Sequence, residues 1–361
     1  MKVFVHLAHG FAPAAWRQRI QDGTLLGIND CPAYGYARAE QFGCSVTYSE
    51  DRRFGFLSNV FRLLARICLG FDFYHAWSNR VEIFSSDVIW THTESQSLAI
   101  AALFLLRSPK ERSPRLIAQT VWLLDKWESL TIFHRYLYRK LLARADVMTF
   151  LSPLNLRKAQ QLFPHQDCRL IKFGIRSDHI ISRDYHASRP IRILSIGNDI
   201  HRDWNALIIA FGGCDTFDVK IATRSLKQSA VSAYKNVQII GVKQNDELME
   251  LYRWANLSVI LLRENLHASG ITVILEAFSM GLPVVASKVG GLSEYFSDHE
   301  VCYLESHDSQ TIRETVLRYA SDLSAQKEMV LRAQEKMLTG ELNSERFARE
   351  HFMISRDLLG D

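Results

Sequence analysis

Residues 255–287 read ANLSVILLRENLHASGITVILEAFSMGLPVVAS, and their reading decides the fold. The run 257–262 is apolar and short, as a strand buried on both faces requires. A polar loop follows at 263–269. From there the period changes: Ile271, Ile274, Leu275 and Phe278 recur at i, i+3, i+4 and i+7, one stripe of a helix. Thr272, Glu276 and Ser279 fall on another face. Ser269 is placed to cap this helix and Gly270 to stand just inside it, leaving the amides of Gly270, Ile271 and Thr272 free. Met280-Gly281 ends the helix, Pro283 forbids its continuation, and Val284 to Ala286 is the next strand. Strand, loop and helix make half of a parallel α/β unit, whose ligands bind at the carboxyl ends of the strands. Free amides, the positive end of a helix dipole and a glycine permitting close approach suit a phosphate. Glu276, one turn below Thr272, is spaced to accept hydrogen bonds from a ribose diol. Periodicity alone favours a plainer alternative, an amphipathic helix whose glutamate is merely solvated.

The run SGITVILEAFSMGLPVVAS, followed by Gly290-Gly291 and Glu294, resembles the nucleotide-sugar segment of the retaining GT-B glycosyltransferases of family 4. The resemblance implies two Rossmann-like domains facing across a cleft. It also implies a UDP-sugar or GDP-sugar donor, transfer with retention, and no required metal or cofactor. Relatives carry two glutamates eight positions apart. Glu276 matches the second, which holds the ribose, while the place of the first, near the donor sugar, is Ala268. Glu264 and His267 are the nearby polar candidates for its role.

A chain of 361 residues, 47% hydrophobic and 23% charged, is long enough for two domains with substantial cores. A net charge of +4 is modest, and no zinc spacing or RNA-binding aromatic pattern joins it, so nucleic acid is not expected as a partner. The six cysteines are scattered without a CxxC pair, which reads as reduced thiols in a cytoplasmic protein. The N-terminus lacks the long apolar core of a signal peptide, and the longest apolar run, 98–106, is too short to cross a bilayer.

The expected first domain is residues 1–176, opening with a strand at 2–7. Gly10 follows at its carboxyl end, where relatives place a glycine-rich loop, and the stretch onward to Asp30 shows no clear periodicity. It reads either as a surface loop or as an acceptor-site loop. Further strands are expected at 44–48, 88–91, 116–121 and 146–150. DVIWTHTE matches the place where a strand of the family's first domain ends beside the sugar, which makes His92 a candidate catalytic residue and Glu94 an acceptor-side candidate. Residues 54–73 and 130–146 interleave Phe, Tyr and Leu with arginines and lysines. They suit helices packed in the domain, or faces resting reversibly on an anionic membrane.

Gly174-Ile175-Arg176 resembles the turn that ends the family's first domain, and the polar stretch 177–190 reads as a linker. The second domain, 191–342, opens with a strand at 191–196 and the turn Gly197-Asn198-Asp199. Relatives have a glycine here and a cation that reaches the donor diphosphate. Gly197 matches the glycine, and Arg202 is the nearest cation, its planar guanidinium able to bind two phosphate oxygens. Arg224 is a second phosphate candidate. A single charged helix is expected over 311–337, and residues 343–361 form a helix that returns to the first domain. The combined reading is a hexosyltransferase acting on a glycan or lipid-linked acceptor in polysaccharide or glycoconjugate synthesis. A GT-B subunit that binds nucleotide or a partner without turnover is the alternative.

Overall fold

The computed structural model describes residues 1–52, 55–107, 113–178 and 180–360; Phe54, His179 and Asp361, which fall in segments discussed above, lie outside them. The chain divides into two compact units. The first comprises 1–20, 30–173 and 344–361, the second 21–29 and 174–343. The excursion of residues 21–29 into the second unit has no signature in the sequence.

The first unit holds six strands: β1 (Lys2–His6), β2 (Ser45–Tyr48), β3 (Val88–Thr91), β4 (Arg115–Thr120), β5 (Val147–Phe150) and β6 (Cys168–Leu170). They form one sheet in the order β2-β1-β3-β4-β5-β6, and every pairing is parallel. Residues of β3 and β5 are buried throughout, as strands covered on both faces must be. The helix Ser344–Leu359 docks on the segment 33–42 of the same unit. Trp90 Nε1 donates to Ser355 Oγ at 2.8 Å, and His351 meets Tyr36 edge-on with ring centroids 5.2 Å apart.

Two expectations need correcting here. The stretch after Gly10 is not all loop: Pro13–Gln21 is a helix, with Pro13 at its start and Trp16 buried. A single buried aromatic gives too little stripe for the period to show. The long helix expected over 311–337 is two helices, Ser309–Ser321 and Leu323–Leu338. Asp322 breaks it by leaving helical backbone geometry and accepting from the Ala325 amide, a side-chain cap that competes with helix continuation.

The second unit carries β7 (Ile191–Ile196), β8 (Phe217–Ala222), β9 (Val237–Ile240), β10 (Leu257–Ile260), β11 (Val284–Ser287) and β12 (Cys302–Leu304). Their order is β12-β11-β10-β7-β8-β9, again all parallel. Numbered from β7, this is the Rossmann order, in which the strand order reverses between β7 and β10 while the strands stay parallel. The loops leaving those two adjacent strands diverge to opposite faces and leave a crevice at their carboxyl ends. One loop starts at Gly197, the other runs to Gly270. Topology alone therefore brings together two segments some seventy residues apart.

Buried imidazoles of the first unit, His6, His75 and His351 among them, should govern its response to acid. His6 and His75 stack at 5.1 Å and are each 1% exposed, and His351 is fully buried. Burial, joined by His75, holds His6 well below the usual histidine range. Burial lowers His75 to about 4 against the opposing pull of Asp72 and Asp51, and lowers His351 to about 4 against its bond to the Phe347 carbonyl. Between pH 6.5 and about 4 the unfolded chain takes up protons that the folded one refuses, so stability falls as pH falls. Each imidazole contributes a slope of at most about 1.4 kcal/mol per pH unit in that window. Urea unfolding at pH 7.5, 6 and 5 should lose several kcal/mol by pH 5, and a flat profile would show that these rings are not buried neutral.

Candidate functional site

The crevice of the second unit is furnished from the β7 loop first. Gly197 has φ +150°, and a Cβ there would lie 2.1 Å from Arg202 Nε. The glycine is thus required by the close approach of the guanidinium, not by the turn alone. Across the crevice a Cβ on Gly270 would lie 2.9 Å from Arg202 Nη1. Arg202 is 5% exposed, and its Nε and Nη1 are buried with no hydrogen-bond partner. Burial lowers it to about 10, with Asp199 and Tyr252 opposing, so it stays cationic at neutral pH. An unsatisfied buried guanidinium is costly unless an anion completes it.

The helix Ile271–Ser279 starts at the same place. Gly270, with φ +91°, is its cap, correcting the assignment to Ser269. The Ser269 amide donates to Asn265 Oδ1 at 3.1 Å and its hydroxyl is buried without a partner. The Ile271 amide returns to the Ala268 carbonyl at 3.2 Å, so the free donors of the first turn begin at Thr272. Ala268 is buried at φ +55°, a backbone region that β-carbon sterics disfavour.

One helical turn on, Glu276 is 6% exposed and both carboxylate oxygens are engaged. Oε2 accepts from Tyr252 Oη at 2.8 Å and Oε1 from the Ile28 amide at 3.1 Å. Burial pushes its carboxyl up, against the pull of those two donors. Residues 21–29 supply the second donor. The Gly27 amide donates to Asn245 Oδ1 at 2.7 Å, and the Asn245 amide donates to the Gly23 carbonyl at 2.7 Å. Gly27 has φ +92° and lies so close that a Cβ would fall 2.1 Å from Glu276 Oε1. Each carboxylate oxygen retains a second lone pair for a ligand.

A cavity opens from Glu276 toward the strand ends, with an empty volume of about 630 Å³, the size class of small-ligand sites. Its wall includes Gly27, Gly197, Asn198, Thr223, Arg224 and Glu276. Asn198 Oδ1 accepts from the Arg224 amide at 2.7 Å, fixing that loop, while the Arg224 side chain is exposed. Gly197, Arg224 and Glu276 thus share one cavity, and Arg202, Gly270, Ile271 and Thr272 cluster at the adjoining helix start. Glu264 is exposed on the β10 loop. His267 is 4% exposed and its Nε2 is 2.9 Å from Asp199 Oδ2.

The first-unit candidates stand at the carboxyl ends of β1 and β3, where the strand order of that sheet also reverses. The Gly10 amide donates to Asp51 Oδ1 at 2.8 Å. His92 stacks on Tyr34 with ring centroids 3.5 Å apart, and its Nδ1 lies 3.0 Å from Tyr36 Oη. Burial, with His351 adding to it, lowers His92 to about 3, so the ring is neutral at physiological pH. Glu94 Oε2 accepts the Val121 and Trp122 amides at 3.1 and 3.2 Å, which orders the loop after β4.

The sequence by itself assigns no role to Tyr252, to the 26–28 strap, or to Asn198 and Asp199 of the turn it places after β7. Tyr252 sits on the apolar stripe of its helix, where a hydroxyl cannot be told from core packing. The Asp199-Ile200-His201 step directly after the strand-end glycine was the one local signal available.

Comparison with known proteins bears on this arrangement. Residues 196–322 match the family described as Glycosyl transferases group 1. No curated protein matches the chain in sequence. Among solved structures, sucrose-phosphate synthase from Thermosynechococcus elongatus is 15% identical, with all of both chains covered and a TM-score of 0.75. Anabaena HepE in complex with UDP-glucose is 13% identical over 99% of each chain, with a TM-score of 0.66. S. aureus TarM, in complex with fondaparinux, α-GlcNAc-glycerol and UDP, is 12% identical over 78% of this chain and 58% of its own, with a TM-score of 0.60. At such identities the likeness establishes the fold. The chain has the GT-B architecture of two Rossmann-like domains, and residues 196–322 of its second unit are similar to the glycosyl transferases group 1 family.

Proposed function

We propose that this protein is a glycosyltransferase that moves a hexose-type sugar from a UDP-sugar or GDP-sugar to a glycan or lipid-linked acceptor, with retention, in polysaccharide or glycoconjugate synthesis. The observation that carries this reading is Arg202, a buried guanidinium with two unpaired nitrogens, framed by two glycines at a helix start. It is a prepared place for a diphosphate, and Glu276 in the adjoining cavity is a prepared acceptor for a ribose. Charge that develops on the leaving diphosphate would meet donors already in place, which is how a fixed site lowers a barrier. Neutral His92 and the Gly10 loop are the acceptor-side groups in this reading, and Thr272 adds a helix-start amide to the diphosphate. Incubation with a panel of UDP- and GDP-sugars and lipid or glycan extracts, read by product mass, tests it. Saturable nucleotide binding without hydrolysis or transfer would favour the non-catalytic subunit, for which Ala268 in place of a carboxylate speaks.

The lipid-linked acceptor rests on a surface of the first unit. The helices Phe56–Leu69 and Ile132–Leu142 adjoin, with Tyr138 Oη donating to the Leu69 carbonyl at 2.8 Å. Together they expose Leu63, Leu64, Ile67, Ile132, Phe133 and Tyr136, with Arg66, Arg139 and Lys140 exposed on the same helices. No helix among the described residues is long and apolar enough to cross a membrane. Apolar area beside lysine and arginine suits reversible attachment to anionic lipid, each cation adding about 1 kcal/mol. In this reading the protein works in the cytoplasm, peripheral on the inner face of the membrane. Vesicles rich in anionic lipid should float the protein at low salt and release it at high salt; a protein left unfloated at both would remove the basis for a lipid acceptor.

A further inference from the structure

The loops 197–202 and 263–269 bring together a second set of groups that the diphosphate reading does not use. Asp199 Oδ1 lies 2.9 Å from His201 Nδ1, and Asp199 Oδ2 lies 2.9 Å from His267 Nε2. These candidate ligand atoms all fall within 4.8 Å of one another. The two imidazoles meet edge-on, with centroids 5.0 Å apart and planes at 63°, so their nitrogens converge on the carboxylate without the rings stacking. We propose that Asp199, His201 and His267 form a site for a divalent transition-metal ion.

The chemistry of the set narrows the ion. Two imidazole nitrogens and one carboxylate oxygen suit zinc, cobalt, nickel or iron, whereas magnesium and calcium prefer oxygen alone. Bonds of about 2.0–2.2 Å to zinc require only that the three groups open slightly around the ion. Each ring now directs a nitrogen at the carboxylate, and on binding the ion it carries its proton on the other nitrogen. His267 is buried and fixes the floor of the site, while the partly exposed Asp199 and His201 give the ion a way in.

Three protein ligands leave a coordination position open. Arg202 follows His201 directly and carries a second positive charge, with Nε and Nη1 unpaired. Two neighbouring cations repel unless an anion lies between them, so the open position calls for a phosphate oxygen shared with Arg202. That clause rests on the diphosphate reading; the metal site itself does not. Metal and nucleoside diphosphate should therefore each tighten the binding of the other by the same factor.

The test uses the whole chain, stripped with EDTA and titrated with Co²⁺ and Zn²⁺, with and without UDP. The expected result is saturable binding of a single ion with the visible absorption of low-symmetry cobalt. Asp199→Asn and His201→Ala should each weaken it at least about 10-fold. Unchanged circular dichroism and melting of His201→Ala, the partly exposed ligand, show that the loss is of ligation and not of fold. No saturable binding, or variants that bind like the wild type, would overturn the site whatever the donor assay shows. A cobalt affinity unmoved by UDP would overturn the shared anion, and donor turnover measured without metal judges the glycosyltransferase reading separately.

Discussion

Replacing Arg202 with methionine should lower kcat/KM for the donor by about 10²–10⁴-fold while leaving the protein as stable as before, or more so. Two hydrogen bonds from a charged group, at about 1.5–3 kcal/mol each, give that range. The stability half of the prediction follows from burial. Arg202 is 5% exposed with Nε and Nη1 unsatisfied, so without an anion it is a cost to the fold. Removing such a charge and keeping apolar volume is neutral or stabilising by about 1–4 kcal/mol. A residue whose role is only structural would behave in the opposite way, with stability falling first and activity following it. Steady-state kinetics and chemical unfolding of the same variant separate the two. An active Arg202→Met enzyme would remove the diphosphate site.

Substitution of Glu276 by glutamine should raise KM for the donor by about 100-fold with a smaller effect on kcat. The carboxylate accepts from Tyr252 and from the Ile28 amide, and the residue lines the cavity. Glutamine keeps one acceptor oxygen but turns an amide group toward a donor, so one of these contacts is lost and the ribose is held less well. The wild type should discriminate against a 2′-deoxy donor, and Glu276→Gln should lose most of that discrimination. Gly27→Ala probes the same carboxylate from the other side. Its Cβ would fall 2.1 Å from Glu276 Oε1 on a backbone at φ +92°, so the strap must lift. Left-handed strain alone costs about 1–3 kcal/mol. Donor affinity should fall together with the melting temperature, and an unchanged KM in Gly27→Ala would show that the strap has no part in the nucleotide site.

Much of the fold was written in local pattern. The strand at 257–260, the helix at 271–279 and the strand at 284–287 each announce themselves by a change of period, and glycine and proline mark the stops. Gly197 and Arg202 could be nominated because a glycine turn at a strand end is a local feature and the segment resembles the family's diphosphate-binding turn. The helix Pro13–Gln21 was hidden because one buried tryptophan makes no stripe, and the break at Asp322 because a capping aspartate looks like any polar residue.

The site was only half legible, for a physical reason. The sequence by itself determined two parallel α/β units, the phosphate-suited helix start and Glu276 on its exposed-looking face. Tertiary structure decided that Glu276 is buried and gripped by Tyr252 and by residue 28, some 250 positions away. It also decided that Asp199 and His267, on loops from adjacent strands, meet at 2.9 Å. Period and propensity act over a few residues, whereas these contacts are set by the strand order that lays β10 beside β7.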